Sequence, residues 1–188
     1  MLKISELKEE RSRTIYYVDE FGDRVRDVEE YITNYRIKTV KTAPRFGHFF
    51  VDSIFFQVLI ISFQFLIGFF SLILDGIGIS TIYIQYYGSL FLLLGYPLMY
   101  FICEFYWQQT PGKFLTGNVV IDEYGNKPNL KQIAARSIFR LIPFDALSCL
   151  GDDYSYGWHD RWSQTYVVPK EELLKIKQLQ KEQMNNPV

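Results

Sequence analysis

"FFVDSIFFQVLIISFQFLIGFFSLIL", residues 49–74, decides how this chain folds. It is 26 residues long, carries no lysine or arginine, and holds one acid, Asp52. A helix of this length reaches about 39 Å, more than the roughly 30 Å hydrocarbon core of a bilayer. A second run, "IYIQYYGSLFLLLGYPLMYFICEFYW", covers 82–107, and residues 82–103 hold no charge. Buried helices of soluble proteins rarely run so far without a charged face. A cleaved signal peptide does not fit either, because the first run begins at residue 49 and is too long for a signal core. The two runs therefore predict transmembrane helices at about 48–74 and 82–106.

The rest of the composition agrees. The 188-residue chain has a net charge of −1, which gives no reason to expect a nucleic-acid partner. Aromatics reach 18%, as suits membrane cores and their interfaces. Residues 1–47 carry ten Lys or Arg, the chain after 107 carries the other ten, and the connector "DGIGIST" at 75–81 carries none. Positive loops stay inside, so both termini are expected in the cytoplasm, around a tight two-helix hairpin. Cys103 and Cys149 fall on that reducing side and are expected as thiols. No His/Cys cluster has metal-ligand spacing, and nothing implies a cofactor or a metal.

Polar residues inside the greasy runs are the functional candidates. Arg45, His48 and Asp52 are spaced i, i+3, i+7 and share one helical face. Arg45 can snorkel to the headgroups, whereas an acid one turn inside, such as Asp52, costs energy unless it is partnered. Ser53, Gln57, Gln64 and Ser71 form an adjacent stripe on the first helix. Gln85, Ser89, Tyr96, Tyr100 and Glu104 form one on the second, and Gly88 and Gly95 allow close approach on another side. These stripes either bond the helices together or line a polar path.

A weaker apolar segment, 129–150, carries Arg136, Arg140 and Asp145, with Pro143 between. Its helical part, 129–142, reads as amphipathic. Leu130, Ile133, Ala134, Ser137 and Leu141 face one way and the two arginines another, with the helix at the inner interface or re-entrant. The two arginines are candidate partners for Asp52 or Glu104. "PGK" at 111–113 is no P-loop, since the flanking glycine pattern is absent. Residues 118–122 and 164–168 read as strands of a small ribbon. "HD" at 159–160 makes no phosphohydrolase site alone, with only two histidines in the chain. Residues 1–42 read as short strands or a loose interfacial segment, and 169–188 as a solvated helix or disorder. The expected fold is an α-helical membrane protein: a two-span transmembrane hairpin plus an interfacial amphipathic helix and a small cytoplasmic β-ribbon cap.

Taken in order, "APRFGHFFVD" (43–52), "TPGKFLTGNVVIDEYGNKPN" (110–129), "AARSIFRLIPF" (134–144) and "WHDRWSQTYVV" (158–168) resemble the RDD family. The resemblance covers 43–168. It implies a multi-pass protein of the bacterial inner membrane, named for an arginine and two aspartates, which match Arg45, Asp52 and Asp160. It also brings in transport, including cation/proton exchange.

Two roles follow. One is a non-enzymatic accessory or assembly protein, with Arg45, Asp52 and Asp160 joined in one charge network. The other is a proton-coupled cation transporter using Asp52 with His48 and Glu104, where the ligand is a monovalent cation or a proton. Arg136, Arg140 and His159 complete the candidate set. Two spans enclose no pathway by themselves, so the expected partners are the bilayer and a second copy or another membrane protein. No nucleophile–base pair supports an enzyme. The charge asymmetry gives the first prediction. With single cysteines introduced at Gly78 and Asn185, an impermeant thiol reagent should label intact cells at 78 only; labelling at 185 alone would invert the topology.

Overall fold

The computed structural model describes residues 2–76, 82–142, 145, 148 and 156–185, and for residues 75 and 82–93 the backbone only. Two long helices dominate. α1 spans Thr42–Gly76 and α2 spans Ile82–Trp107. Within α1, the most apolar 18-residue stretch of Thr42–Leu74 has a mean hydropathy of 2.2, and only 6% of it is buried in the protein. A soluble core helix would be covered; this one leaves Phe55, Phe65, Phe69 and Leu72 exposed. Asp52 meets Tyr100, and Phe56 packs edge-on against Tyr96 with ring centroids 5.2 Å apart. Rising numbers on one helix meet falling numbers on the other, so the pair is antiparallel. α1 begins at Thr42, six residues before the expected span start at 48, so Arg45 lies inside the helix.

A small mixed unit sits at the Thr42 end. β3 (Asn118–Asp122) pairs antiparallel with β4 (Thr165–Pro169), one residue from the predicted register limits. Val120 and Val167 enclose Val40 on one side of this ribbon. Ile4, Leu7, Tyr35, Val119, Ile121, Val168 and Ile176 form the main core on the other. Both chain ends thus contribute to the core. The C-terminal stretch is not a free tail: α6 (Lys170–Asn185) docks through Ile176 and Gln180. Glu172 of α6 accepts from the Tyr35 hydroxyl and, at 2.7 Å, from the Lys38 amide. The N-terminal segment holds an antiparallel hairpin of β1 (Lys8–Val18) and β2 (Arg24–Asn34), longer than the short strands expected and largely exposed.

Two short helices differ from the sequence expectation. α3 (Pro111–Thr116) was not foreseen. Thr110 caps its start, Pro111 occupies the first turn where no amide donor is needed, and Gly117 closes it at φ 69°. α4 runs Leu130–Phe139, shorter than 129–142, and opens with a capping box between Asn129 and Gln132. Its expected inner face is kept only in part: Ile133 and Ser137 are buried as expected, but Arg136 joins them and Leu130 and Leu141 do not. Arg136 is fully buried beside Ile133 and Ser137, while Leu130 and Ile138 are 55% and 61% exposed. The hydrophobic pattern is overruled because two buried carboxylates wait for the arginine on the inner side. The proposed re-entrant piece through 150, the bend at Pro143, Cys149 and the side chains of Gln85, Gly88 and Ser89 lie outside the described residues.

α3 rests directly on α1. A Cβ built on Gly112 would lie 2.6 Å from the His48 carbonyl oxygen and 2.7 Å from its Cα. These are backbone atoms and cannot swing aside. Gly112→Ala should therefore lower stability by about 1–3 kcal/mol through overpacking. Thermal unfolding in detergent measures this, and a midpoint equal to wild type would refute the close approach.

Candidate functional site

The site is a set of charges buried where α1 and α2 meet the ribbon unit. Asp52, 1% exposed, is held by uncharged donors. The Thr110 and Tyr100 hydroxyls donate to its Oδ2 at 2.7 and 3.0 Å, and the Gly112 amide donates to Oδ1 at 2.8 Å. One carboxylate from α1 thereby fastens α2 and the start of α3. A carboxylate whose two oxygens receive three such bonds is strongly stabilised relative to an unpaired acid at that depth.

Arg136 is the hub of the second group. Its Nε donates to Glu104 Oε2 at 3.0 Å, and its Nη1 reaches both Asp160 Oδ1 and the Thr165 hydroxyl. Glu104 of α2 also takes Lys113 and, at 2.7 Å, Arg140 Nη2 on its other oxygen. Asp160, in α5 (Trp158–Ser163), takes Arg45 Nη1 on its other oxygen. The Arg45 Nε also donates to the Val40 carbonyl at 3.0 Å. The Arg140 guanidinium lies 4.0 Å from the Tyr100 ring centroid. Glu104, Arg136 and Asp160 have no measurable exposure.

The histidines sit at the edges. His48 Nε2 lies 2.6 Å from the Thr116 hydroxyl and 3.0 Å from the Asn118 side-chain amide. His159 places Nδ1 2.6 Å from Asp145 Oδ2 and Nε2 3.4 Å from Asp160 Oδ1. Burial pushes the His159 imidazole below its ordinary value, against the pull of both acids. Burial likewise lowers the Lys113 ammonium to about 8, although Glu104 favours its charge. Burial by itself would raise Asp160, but Arg45, His159 and Arg136 outweigh it and hold the carboxyl far below the usual range. A cavity of about 100 Å³ lies between these groups and α1. Its walls include Arg45, His48, Asp52, Arg140, Asp145 and His159.

The candidates Arg45, Glu104, Arg136, Arg140, His159 and Asp160 thus meet in one network. The expectation that Arg45, Asp52 and Asp160 are joined in one charge network is met for one pair only. Arg45 bonds Asp160, whereas Asp52 takes its bonds from Tyr100, Thr110 and Gly112. The arginines of α4 go to Glu104, not to Asp52. Lys113, Thr110, Gly112 and Thr165 are not among the sequence candidates, and Asp145 is named there only as a charge of the 129–150 segment. Thr-Pro followed by glycine at 117 is a helix start and stop that would have exposed α3, and with it Lys113. Among the described residues no group of His, Cys, Asp and Glu is arranged to hold a metal ion.

A sequence profile of the RDD family matches residues 39–166. No curated protein and no solved structure matches the chain.

Removing one member of a buried pair leaves the other charge uncompensated, at about 3–5 kcal/mol. Arg45→Ala and Asp160→Ala should each be strongly destabilising, and the double variant less so than their sum, by about 1–3 kcal/mol. Strict additivity in detergent unfolding would refute the direct pair. Asp160 also fixes a pH dependence. Its folded value lies below its ordinary value of 3.8, so its contribution is full above about pH 4 and is lost as pH falls below that. Asp160→Asn should remove this part of the acid loss.

Proposed function

Since the chain belongs to the RDD family of membrane proteins, we propose that it is a non-enzymatic accessory or assembly protein of the bacterial inner membrane. α1 and α2 form its two-span hairpin, the ribbon unit forms a cytoplasmic cap, and the protein works as a homo-oligomer or with another membrane protein. The buried charges fasten the hairpin to the cap. The observation that carries this reading is Asp52, whose oxygens already accept from Tyr100, Thr110 and Gly112. An acid so engaged is suited to holding elements together. Taking up a proton or a cation there would have to displace donors already in place.

Self-association has its own support. Gln57 and Gln64 are exposed in the middle of the apolar stretch of α1. Amides facing hydrocarbon are costly, and a second copy would supply partners for them. Loop charges favour the inward orientation of both termini.

One observation favours the transport reading as a second possibility. Asp52 and His48 line a cavity together with Asp145 and His159. In that reading Asp52 is the cation or proton site, and oligomers would be needed to enclose a path.

Ion flux in proteoliposomes separates the two. On the assembly reading, wild type carries no sodium- or potassium-driven proton flux above empty vesicles, and Asp52→Asn loses about 1–3 kcal/mol of stability by weakening its hydrogen bonds. Flux that Asp52→Asn abolishes while stability is intact would reverse the conclusion. In nanodiscs the mass should exceed one chain, and Gln57→Leu with Gln64→Leu should shift it towards the monomer.

A further inference from the structure

The cavity beside Asp52 has hydrogen-bond donors to spare, whereas its acceptors are engaged. Each oxygen of Asp52 already accepts a bond. Asp145 receives the His159 backbone amide on Oδ1 at 3.1 Å and faces His159 Nδ1 with Oδ2. The donor side is different. Arg140 gives Nη2 to Glu104, but its Nη1 is buried and has no hydrogen-bond partner among the described residues. Lys113 bonds Glu104 with one of the three donors that an ammonium carries. Both side chains line the cavity and are at least nine-tenths buried, at 8% and 6% exposure. Glu104 is shared among Lys113, Arg136 and Arg140, so three cations lean on one carboxylate. A buried guanidinium nitrogen without an acceptor is costly, and an anion's oxygen is the partner it fits best.

We propose that this cavity binds a phosphate-type anion, with Arg140 and Lys113 as its principal ligands. The volume, about 100 Å³, suits one such group and not a large metabolite. Arg45 is already committed to Asp160 and the Val40 carbonyl and plays no part in the assignment. Two further wall residues indicate how the anion arrives. Phe46 and Phe49 line the cavity and are also exposed on the outer face of α1, 57% and 41%. The cavity therefore continues into an apolar surface at the end of α1 where its greasy stretch begins. A phosphate carried on a lipid would place its headgroup against Arg140 and Lys113 and its acyl chain along the two phenylalanines. Free phosphate offers the same chemistry without the chain. The inference is independent of whether the protein assembles or transports, because it concerns only the unused donors of the cavity.

The test is thermal unfolding of the full chain in an uncharged detergent, titrated with three probes at matched ionic strength. These are phosphatidic acid, diacylglycerol with the same acyl chains, and inorganic phosphate; sodium chloride serves as the control. Phosphatidic acid should raise the midpoint in a saturable way and diacylglycerol should not. Arg140→Lys keeps a cation for Glu104 but has no Nη1. It should require about tenfold more phosphatidic acid for the same shift, as expected for one lost charge-assisted hydrogen bond. If that variant fails to fold, the three probes on wild type decide the matter alone. Saturable stabilisation by inorganic phosphate at concentrations as low as phosphatidic acid requires would uphold the anion site and make the free ion its ligand. A phosphate response no different from chloride, beside saturable stabilisation by phosphatidic acid alone, would uphold the site with the lipid headgroup as its ligand. Equal responses to phosphatidic acid and diacylglycerol, or an Arg140→Lys titration matching wild type, would overturn the proposal.

Discussion

The contact of one fully buried guanidinium with two carboxylates organises this molecule. Arg136 of α4 bonds Glu104 of α2 and Asp160 of α5. Each of those acids has a second basic partner, from α3 and from α1. Five helices are thus tied through five side chains. Any one of these charges, left by itself in such a place, would cost several kcal/mol. The cost is offset only when all are present together, so the network selects one arrangement of helices far more sharply than apolar contacts would. Apolar side chains tolerate sliding; a forked donor between two fixed acceptors does not.

How far the sequence discloses this depends on the kind of signal. The greasy stretch from 49 to 74 reads directly, because its length and single charge are enough to specify a long apolar helix. The β3–β4 ribbon reads nearly as well, since turn residues and alternation are local. The face of α4 does not. A helical wheel assumes that apolar residues point inwards, and Arg136 breaks that assumption only because acids from 32 and 24 residues away are buried beside it. Asp52 shows the same limit. Its depth and its need for partners were legible, but its partners are two hydroxyls and an amide, groups common in any sequence and invisible as a pattern. Glu104, Arg140 and Asp160 stand out as charges in or beside apolar runs; Lys113 does not, because it lies in a short polar stretch between the expected elements where a lysine is ordinary.

The ends of the chain have a different character. Neither Ile4 nor Ile176 belongs to an element that would be stable alone, yet both are buried in the same cluster with β3 and β4. A five-residue, two-stranded ribbon is marginal in water. Segments around Ile4 and Ile176, 172 positions apart, close over it and complete a core that the matched family segment, 39–166, contains only in part. The N-terminal hairpin then projects from this core with most of both faces exposed, attached through Leu7 and Tyr35.

The length of α1 sets a geometric condition on the surrounding lipid. Its apolar stretch is about 39 Å long against a hydrocarbon thickness of about 30 Å, a mismatch that tilting of the helix accommodates. Asp52 and Arg45 fix that helix to α3 and α5, so the ribbon unit leans with it. Bilayer thickness thereby becomes a mechanical input: a thicker leaflet lets α1 stand more upright and rotates the attached unit relative to the plane of the membrane.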